Sequence, residues 1–390
     1  NVKDLPSGAY HYFVKGHQLE QRAIGDIVPT LWQTLGGIST TPSIIIGLNS
    51  IFWREAWKYQ SRALRYCYLD LGHTMASIRV AAQGLGLFVL FVGEFYDDNI
   101  RQYLCLNKTD EYPLLYLAID TKQPVVDTRQ KIIHKDTINA SMHINRLSRK
   151  EVDYPLITQA HVLTTKTFMN TLHKKGNGNP LILPFKKEGA CISNFKIHET
   201  MTIQEYPLKW TIRHRRSAID FDGETTMSIN TFHYLMRLLC SPYKADYLMP
   251  ESPPLIIPYL YIHRVEGVGR GLYCLDRTNK KLFLLSRGDM QHVAKELSLN
   301  QDIASDSAFA LSFISNFNYA LNTHGNRGYR YIHYEAGFLG QSLYLGATAE
   351  GFDATGIGAF IDDEVHTFLK TPLEQQVVYH FTVGKRIDDP

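Results

Sequence analysis

The chain has 390 residues, 44% of them apolar, enough for roughly two or three domains that each bury a core. Forty-one Lys and Arg against 38 Asp and Glu leave a net charge of +3, without the basic excess by which nucleic-acid binders and polybasic membrane proteins are recognised. The longest apolar stretches, 43–52 and 84–95, are interrupted and fall short of the roughly 20 residues that span a bilayer, so neither nucleic acid nor a membrane is expected as a partner. Cys67, Cys105, Cys191, Cys240 and Cys274 are scattered without a CxxC pair. That pattern argues against a disulfide framework or a thiolate zinc site and suits a reducing, cytoplasmic setting.

In chain order, Gly8-Ala9-Tyr10-His11-Tyr12, then Leu19 and Gly25-Asp26, predict a short β-hairpin. RYCYLDLGHTMASIRVAAQGLGL from Arg65 predicts a long helix with the small residues Gly72, Ala76 and Ala82 on its buried face, followed by a Gly-rich turn into a strand. LLYLAIDTK, up to Lys122, reads as a closing strand. Residues 125–205 read as a connector with one helix over 155–172 and an exposed polar loop, Lys174-Lys175-Gly176-Asn177-Gly178-Asn179-Pro180. Next comes the basic arm Arg213-His214-Arg215-Arg216-Ser217, a turn at Asp222-Gly223-Glu224, and a helix capped by Ser228 with Ile229, Phe232, Leu235, Met236 and Leu239 at helical spacing.

The opening pattern then returns. Gly271-Leu272-Tyr273, Leu282 and Gly288-Asp289 repeat the hairpin at an offset of 263, and RYIHYEAGFLGQSLYLGATAEGF from Arg330 repeats the helix at an offset of 265. Across 65–100 the repeat preserves Arg65, Tyr66, Gly72, Ser77, Ala82, Gly86, Gly93, Phe95, Asp97 and Asp98, against roughly two or three identities from chance at ordinary composition. VVYHFTVGK, up to Lys385, repeats the closing strand. The expected organisation is a first copy over 1–124, a connector over 125–205 and a second copy over 206–390. On this reading the first copy lacks the front that the second possesses, and the start at Asn1 reflects loss of the first copy's own arm and covering loop.

The arm Arg213-His214-Arg215-Arg216-Ser217 before an amphipathic helix resembles the amino-terminal signature of nitroreductase-like flavoproteins, and GFDATGIGAFIDDEV with VVYHFTVGKR agrees. WREAWKYQSRALRYCYLDLGH and NRLSRKEVDYPLI resemble a narrower branch, the tandem SagB-type or ThcOx-like dehydrogenases. The resemblance implies an α+β nitroreductase-like fold, with central, mostly antiparallel sheets and long buried helices. It also implies FMN at the interface of two units, which here pair as an internal pseudo-dimer without forbidding a further homodimer.

FMN needs cations and donors for its phosphate, a backbone donor beside the redox-active ring nitrogen and an apolar wall. Arg215, Arg216 and Ser217 suit the phosphate, since guanidinium groups grip its oxygens bidentately and a hydroxyl adds a donor; Lys385 and Arg386 are candidates to complete it. For the ring, the turn Gly356-Ile357-Gly358-Ala359-Phe360, with Gly356, Gly358 and Ala359 small, or alternatively Glu350-Gly351, offers a backbone N–H.

The implied acid–base pair is Lys58-Tyr59, a lysine of lowered pKa through desolvation helped by a phenol, where the second copy has Thr323 and His324. The bland reading of that pair is a surface site at a helix start. Two departures stand out. Ser241-Pro242-Tyr243-Lys244-Ala245-Asp246 replaces the family's Ser- and Gly-rich loop, and Glu94 in the first copy would repel an anionic reduced flavin.

The functional expectation is an FMN-dependent dehydrogenase acting on a small heterocyclic or peptide-derived substrate. The alternatives are an NAD(P)H-dependent nitro or quinone reductase and a non-catalytic flavin- or peptide-binding scaffold. The scattered histidines lack ligand spacing, so no metal is expected.

Overall fold

The computed structural model describes residues 2–106, 110–132, 137–138, 148–167, 206–249 and 252–387, and the backbone of 191–194. The loop expected at 174–180 and the far end of the helix expected over 155–172 lie outside the described residues. The chain divides into two compact units, one comprising Asn1–Cys67, Ser77–His173 and Tyr243–Ser252, the other Tyr68–Ala76, Lys174–Pro242 and Pro253–Pro390.

The first unit opens with the expected hairpin, β1 (Gly8–Phe13) against β2 (Gln18–Ile24), antiparallel from Gly8↔Ile24 to Phe13↔Gln18. Helix α1 (Val28–Thr34) carries a proline in its first turn, where a missing N–H costs nothing. Strand β3 (Ile44–Ser50) is followed by α2 (Trp53–Tyr59), a 3-10 turn and α3 (Ala63–Gly84). Then come β4 (Phe88–Val92), α4 (Asp97–Tyr103), β5 (Tyr112–Asp120) and α5 (Pro155–Leu163).

The sheet runs β3-β5-β4, antiparallel, and its middle strand is buried along nearly its whole length. Leu31, Trp32, Leu90, Phe95, Ile100 and Tyr116 belong to the core beside it. Two sequence expectations shift here. Lys58 and Tyr59 close α2 and do not start a helix, and α5 ends at Leu163, with the Thr164 hydroxyl turned back to the carbonyl of His161 at 2.6 Å.

In the second unit a short strand, β6 (Cys191–Asn194), is followed by α6 (Leu208–His214) and α7 (Ile229–Leu239). Ser228 caps α7 as predicted, its hydroxyl accepting from the Thr231 N–H at 3.1 Å. The strands β7 (Ile257–Ile262), β8 (Gly271–Asp276) and β9 (Lys281–Arg287) lead through α8 (Gln291–Leu297) and α9 (Asp302–Ser305) to β10 (Phe309–Asn316). The unit ends with α10 (Phe317–His324), α11 (Gly328–Ala349), β11 (Asp353–Ile357), α12 (Asp362–Leu369) and β12 (Gln375–Gly384). Its sheet is antiparallel throughout, in the order β11-β12-β10-β7-β8-β9-β6.

The Tyr68–Ala76 part of α3 packs on α11 inside this second unit, and the two repeat-related glycines meet there. A Cβ on Gly72 would lie 2.2 Å from the Tyr334 carbonyl oxygen, and one on Gly337 would lie 2.0 Å from that of Leu69. Only glycine at both positions lets the backbones come this close.

Candidate functional site

The second unit gathers most of the expected cofactor residues around β11. Arg215 ends α6, and the chain beyond it runs beside the strand: Ser217 forms a parallel bridge with Ala354, and the Ala218 N–H donates to the Ala354 carbonyl at 3.1 Å. Further on, Phe221 bridges Arg386 and the Asp222 N–H donates to the Lys385 carbonyl at 2.9 Å. The arm thereby draws 215–222 along the ends of β11 and β12, bringing Arg215, Arg216, Ser217, Lys385 and Arg386 to one margin of the sheet. Arg216, Ser217 and Lys385 are exposed, and Arg215 is half-buried.

Their side chains are not equally available. The Lys385 ammonium donates to the Gly351 carbonyl at 2.8 Å, at the foot of α11. Arg386 is paired with Asp353 at 3.0 Å, which commits its guanidinium to the sheet. The Arg215 guanidinium lies 5.0 Å from the Tyr344 ring centroid, a cation–π arrangement that leaves its edge nitrogens to other partners.

Tyr344, on α11, is the hub that sequence reasoning missed. Its hydroxyl is 2.8 Å from Ser217 Oγ and accepts the Gly356 N–H at 2.9 Å, so one phenol links the basic arm to the strand. The expected turn at Gly356 is therefore corrected. Gly356 sits within β11 opposite Phe381, and its N–H is already engaged. A Cβ there would fall on the Tyr379 hydroxyl, so the tyrosine side chain occupies the space this glycine leaves. Gly358, half-buried, and Ala359, exposed, follow the strand as a loop.

Glu350 and Gly351 close α11 in a Schellman cap. The Phe352 N–H reaches the Ala347 carbonyl at 2.8 Å, and Gly351 takes φ +72, a conformation suited to glycine. Gly86 ends α3 in the same way, with φ +70, which accounts for that conserved pair of the repeat. The Thr231 hydroxyl donates to Glu350 Oε2 at 3.4 Å.

Behind Tyr344 lies a polar chain. His73 Nδ1 is 3.1 Å from Gln341 Oε1 and Nε2 is 3.2 Å from the Tyr379 hydroxyl. The amide oxygen can only accept, so Nδ1 carries the proton and Nε2 accepts from Tyr379. Burial lowers the imidazole to about 4, opposed by the Gln341 bond and reinforced by Arg215. His73 is therefore a neutral acceptor at ordinary pH. Its one sequence signal was the Gly-His step after the acidic residue in the SagB-like motif.

Lys58 and Tyr59 belong to the first unit. Both are exposed, with the Lys58 ammonium 5.0 Å from the Tyr59 ring centroid and Tyr59 edge-on to Tyr66 at 4.7 Å. The desolvation expected of the lysine is absent, because the end of α2 presents it to solvent. Gln60, next in the chain, holds φ 51 and ψ −139, a strained conformation for a side-chain-bearing residue.

Among the described residues no group of His, Cys, Asp or Glu could hold a metal ion, and no helix is long and apolar enough to cross a membrane. Among the described residues Cys67, Cys105, Cys240 and Cys274 form no disulfide.

Residues 268–385 match the Nitroreductase family. The "Putative nitroreductase MJ1384" of Methanocaldococcus jannaschii is 27% identical over 130 residues, which are 33% of this chain and 65% of that relative, so the chain spans just under two thirds of its length. The crystal structure of "a putative nitroreductase" from Anabaena variabilis aligns with a TM-score of 0.74 at 22% identity, covering 99% of this chain and 78% of that one. An E. coli microcin synthetase McbBCD complex aligns at 20% identity over 54% of this chain and 79% of that one, with a TM-score of 0.39, too low to carry an argument. The fold is thus α+β and nitroreductase-like along the chain.

The side chains around β11 fit the phosphate end of FMN. A half-buried guanidinium, an exposed one, a hydroxyl and an ammonium share one margin, which is the donor set a phosphate requires.

Proposed function

We propose that the chain is an FMN-dependent oxidoreductase whose phosphate anchor is Arg215, Arg216 and Ser217, helped by Lys385. The observation that carries this reading is the arm's docking on β11 through Ser217, Ala354 and Tyr344, beside a strand of the family-matching stretch. When bound, FMN would supply a two-electron acceptor for hydride. Tyr344 holds Ser217 and orients Arg215. Gly358 and Ala359 are the backbone positions we assign to the ring, with Glu350-Gly351 serving the cap of α11 instead.

Within that class we favour a SagB-type dehydrogenase acting on a small heterocyclic or peptide-derived substrate. Its substrate C–H bond breaks with the electron pair leaving as hydride, and the Lys58 amine, assisted by Tyr59, takes the adjacent proton. The exposure of Lys58 favours a second reading, an NAD(P)H-driven reductase of nitro compounds or quinones, which needs no such base. Lys58→Ala separates them: the dehydrogenase loses turnover and keeps flavin binding, whereas the reductase keeps both. Flavin that is bound but never bleached by any reductant or substrate would point to a scaffold and sink both enzymatic readings.

A further inference from the structure

Strands β4 and β11 occupy corresponding places in the repeat, and each is an edge strand of its sheet. In the second unit the outer edge of β11 is paired in parallel by the basic arm, through Ser217 and Ala218 on Ala354. In the first unit the outer edge of β4 is also paired in parallel, by Lys244-Ala245-Asp246. Ala245 bridges Phe91, the Phe91 N–H donates to the Lys244 carbonyl at 3.2 Å, and the Asp246 N–H donates to the Phe91 carbonyl at 2.9 Å. Where one unit offers two arginines and a serine, the other offers a strap that ends in a carboxylate.

That carboxylate is itself engaged. It accepts the N–H of Gly93 at 2.7 Å and that of Glu94 at 3.0 Å, and these residues are the repeat counterparts of Gly358 and Ala359. Glu94 is ion-paired with Lys166, both side chains nearly buried, and the Lys166 N–H donates to Asp97 at 2.9 Å. The counterpart of Gly356 is Phe91, a buried ring in place of a glycine. An anion approaching this loop meets a Glu94 whose charge is balanced by Lys166 and backbone N–H groups already bonded to Asp246, so the donors a phosphate or a reduced flavin would use here are taken.

Resting on the FMN reading above, we infer that the second unit alone binds flavin and that the first unit is closed, its turn filled by the Asp246 strap. The chain then carries one FMN, not two.

The test is the flavin-to-protein ratio of the full chain after incubation with excess FMN and removal of the free cofactor, together with FMN titration of variants. One FMN per chain is expected. Arg216→Ala, at an exposed side chain, weakens FMN binding about tenfold or more, as loss of a charge-assisted contact does. Asp246→Asn leaves both the ratio and the affinity unchanged. A ratio of two overturns the inference, as does a ratio of one that falls with Asp246→Asn and not with Arg216→Ala. A chain that takes up no FMN overturns the FMN reading itself and this inference with it.

Discussion

At the scale of single residues, Tyr344 does most to join the arm to the sheet. Tyr344→Phe keeps the ring under Arg215 but leaves the Gly356 N–H without its acceptor, which should cost about 1–3 kcal/mol, read as a lowered urea midpoint. His73 sets a pH dependence. Its folded pKa of about 4 lies below the ordinary 6.5, so in that interval the unfolded chain binds a proton the folded one refuses. Stability should therefore fall on acidification from about pH 6.5 to about 4, and His73→Gln should flatten that part of the melting-temperature profile.

Asp246 acts in the opposite sense. Burial and the neighbouring Glu94 push it up to about 7, so the folded chain keeps a proton that the unfolded chain releases above its ordinary value of 3.8. Its contribution should decline as pH rises from about 4 to about 7, and Asp246→Asn should remove the decline. The arginines and Ser217 were legible as a motif. Tyr344 was not, because its repeat counterpart is Arg79 and a tyrosine on a long helix reads as core. Nor was the strap, since Asp246 meets Gly93 and Glu94 only through the folded chain.

Among the elements, the hairpins, the long helices and the closing strands were all legible, because period and repeat carry them. α3 and α11 each span 22 residues and end in matching caps. Helix ends were less legible. The residues from Trp53 to Tyr59 form only two turns, and nothing local marks where the chain breaks until Gln60 adopts its strained conformation. The second copy solves the same break with Gly325, at φ 62 and ψ −162. Gln60→Gly should accordingly stabilise the protein by about 1 kcal/mol, measured by chemical denaturation. The contact between α3 and α11 predicts the reverse for Gly72→Ala or Gly337→Ala. A methyl about 2 Å from a carbonyl oxygen forces the helices apart and should cost about 3 kcal/mol or more, seen as a loss of thermal stability. Gly356, expected in a turn, belongs to a strand because the ladder with β12 extends through it to Ile357.

For the whole molecule, the repeat proved the most informative signal in the sequence, and it now reads as two copies with unlike chemistry at corresponding edges. One edge carries Arg216 and Ser217; the other carries Asp246, with Glu94 close by. Whether the basic edge holds FMN is read from the visible spectrum of the purified full chain after exposure to FMN, recorded before and after adding a reductant. A retained flavin spectrum that bleaches on reduction, and is weakened in Arg216→Ala, is expected; a folded wild-type protein that stays colourless means that the edge holds no FMN.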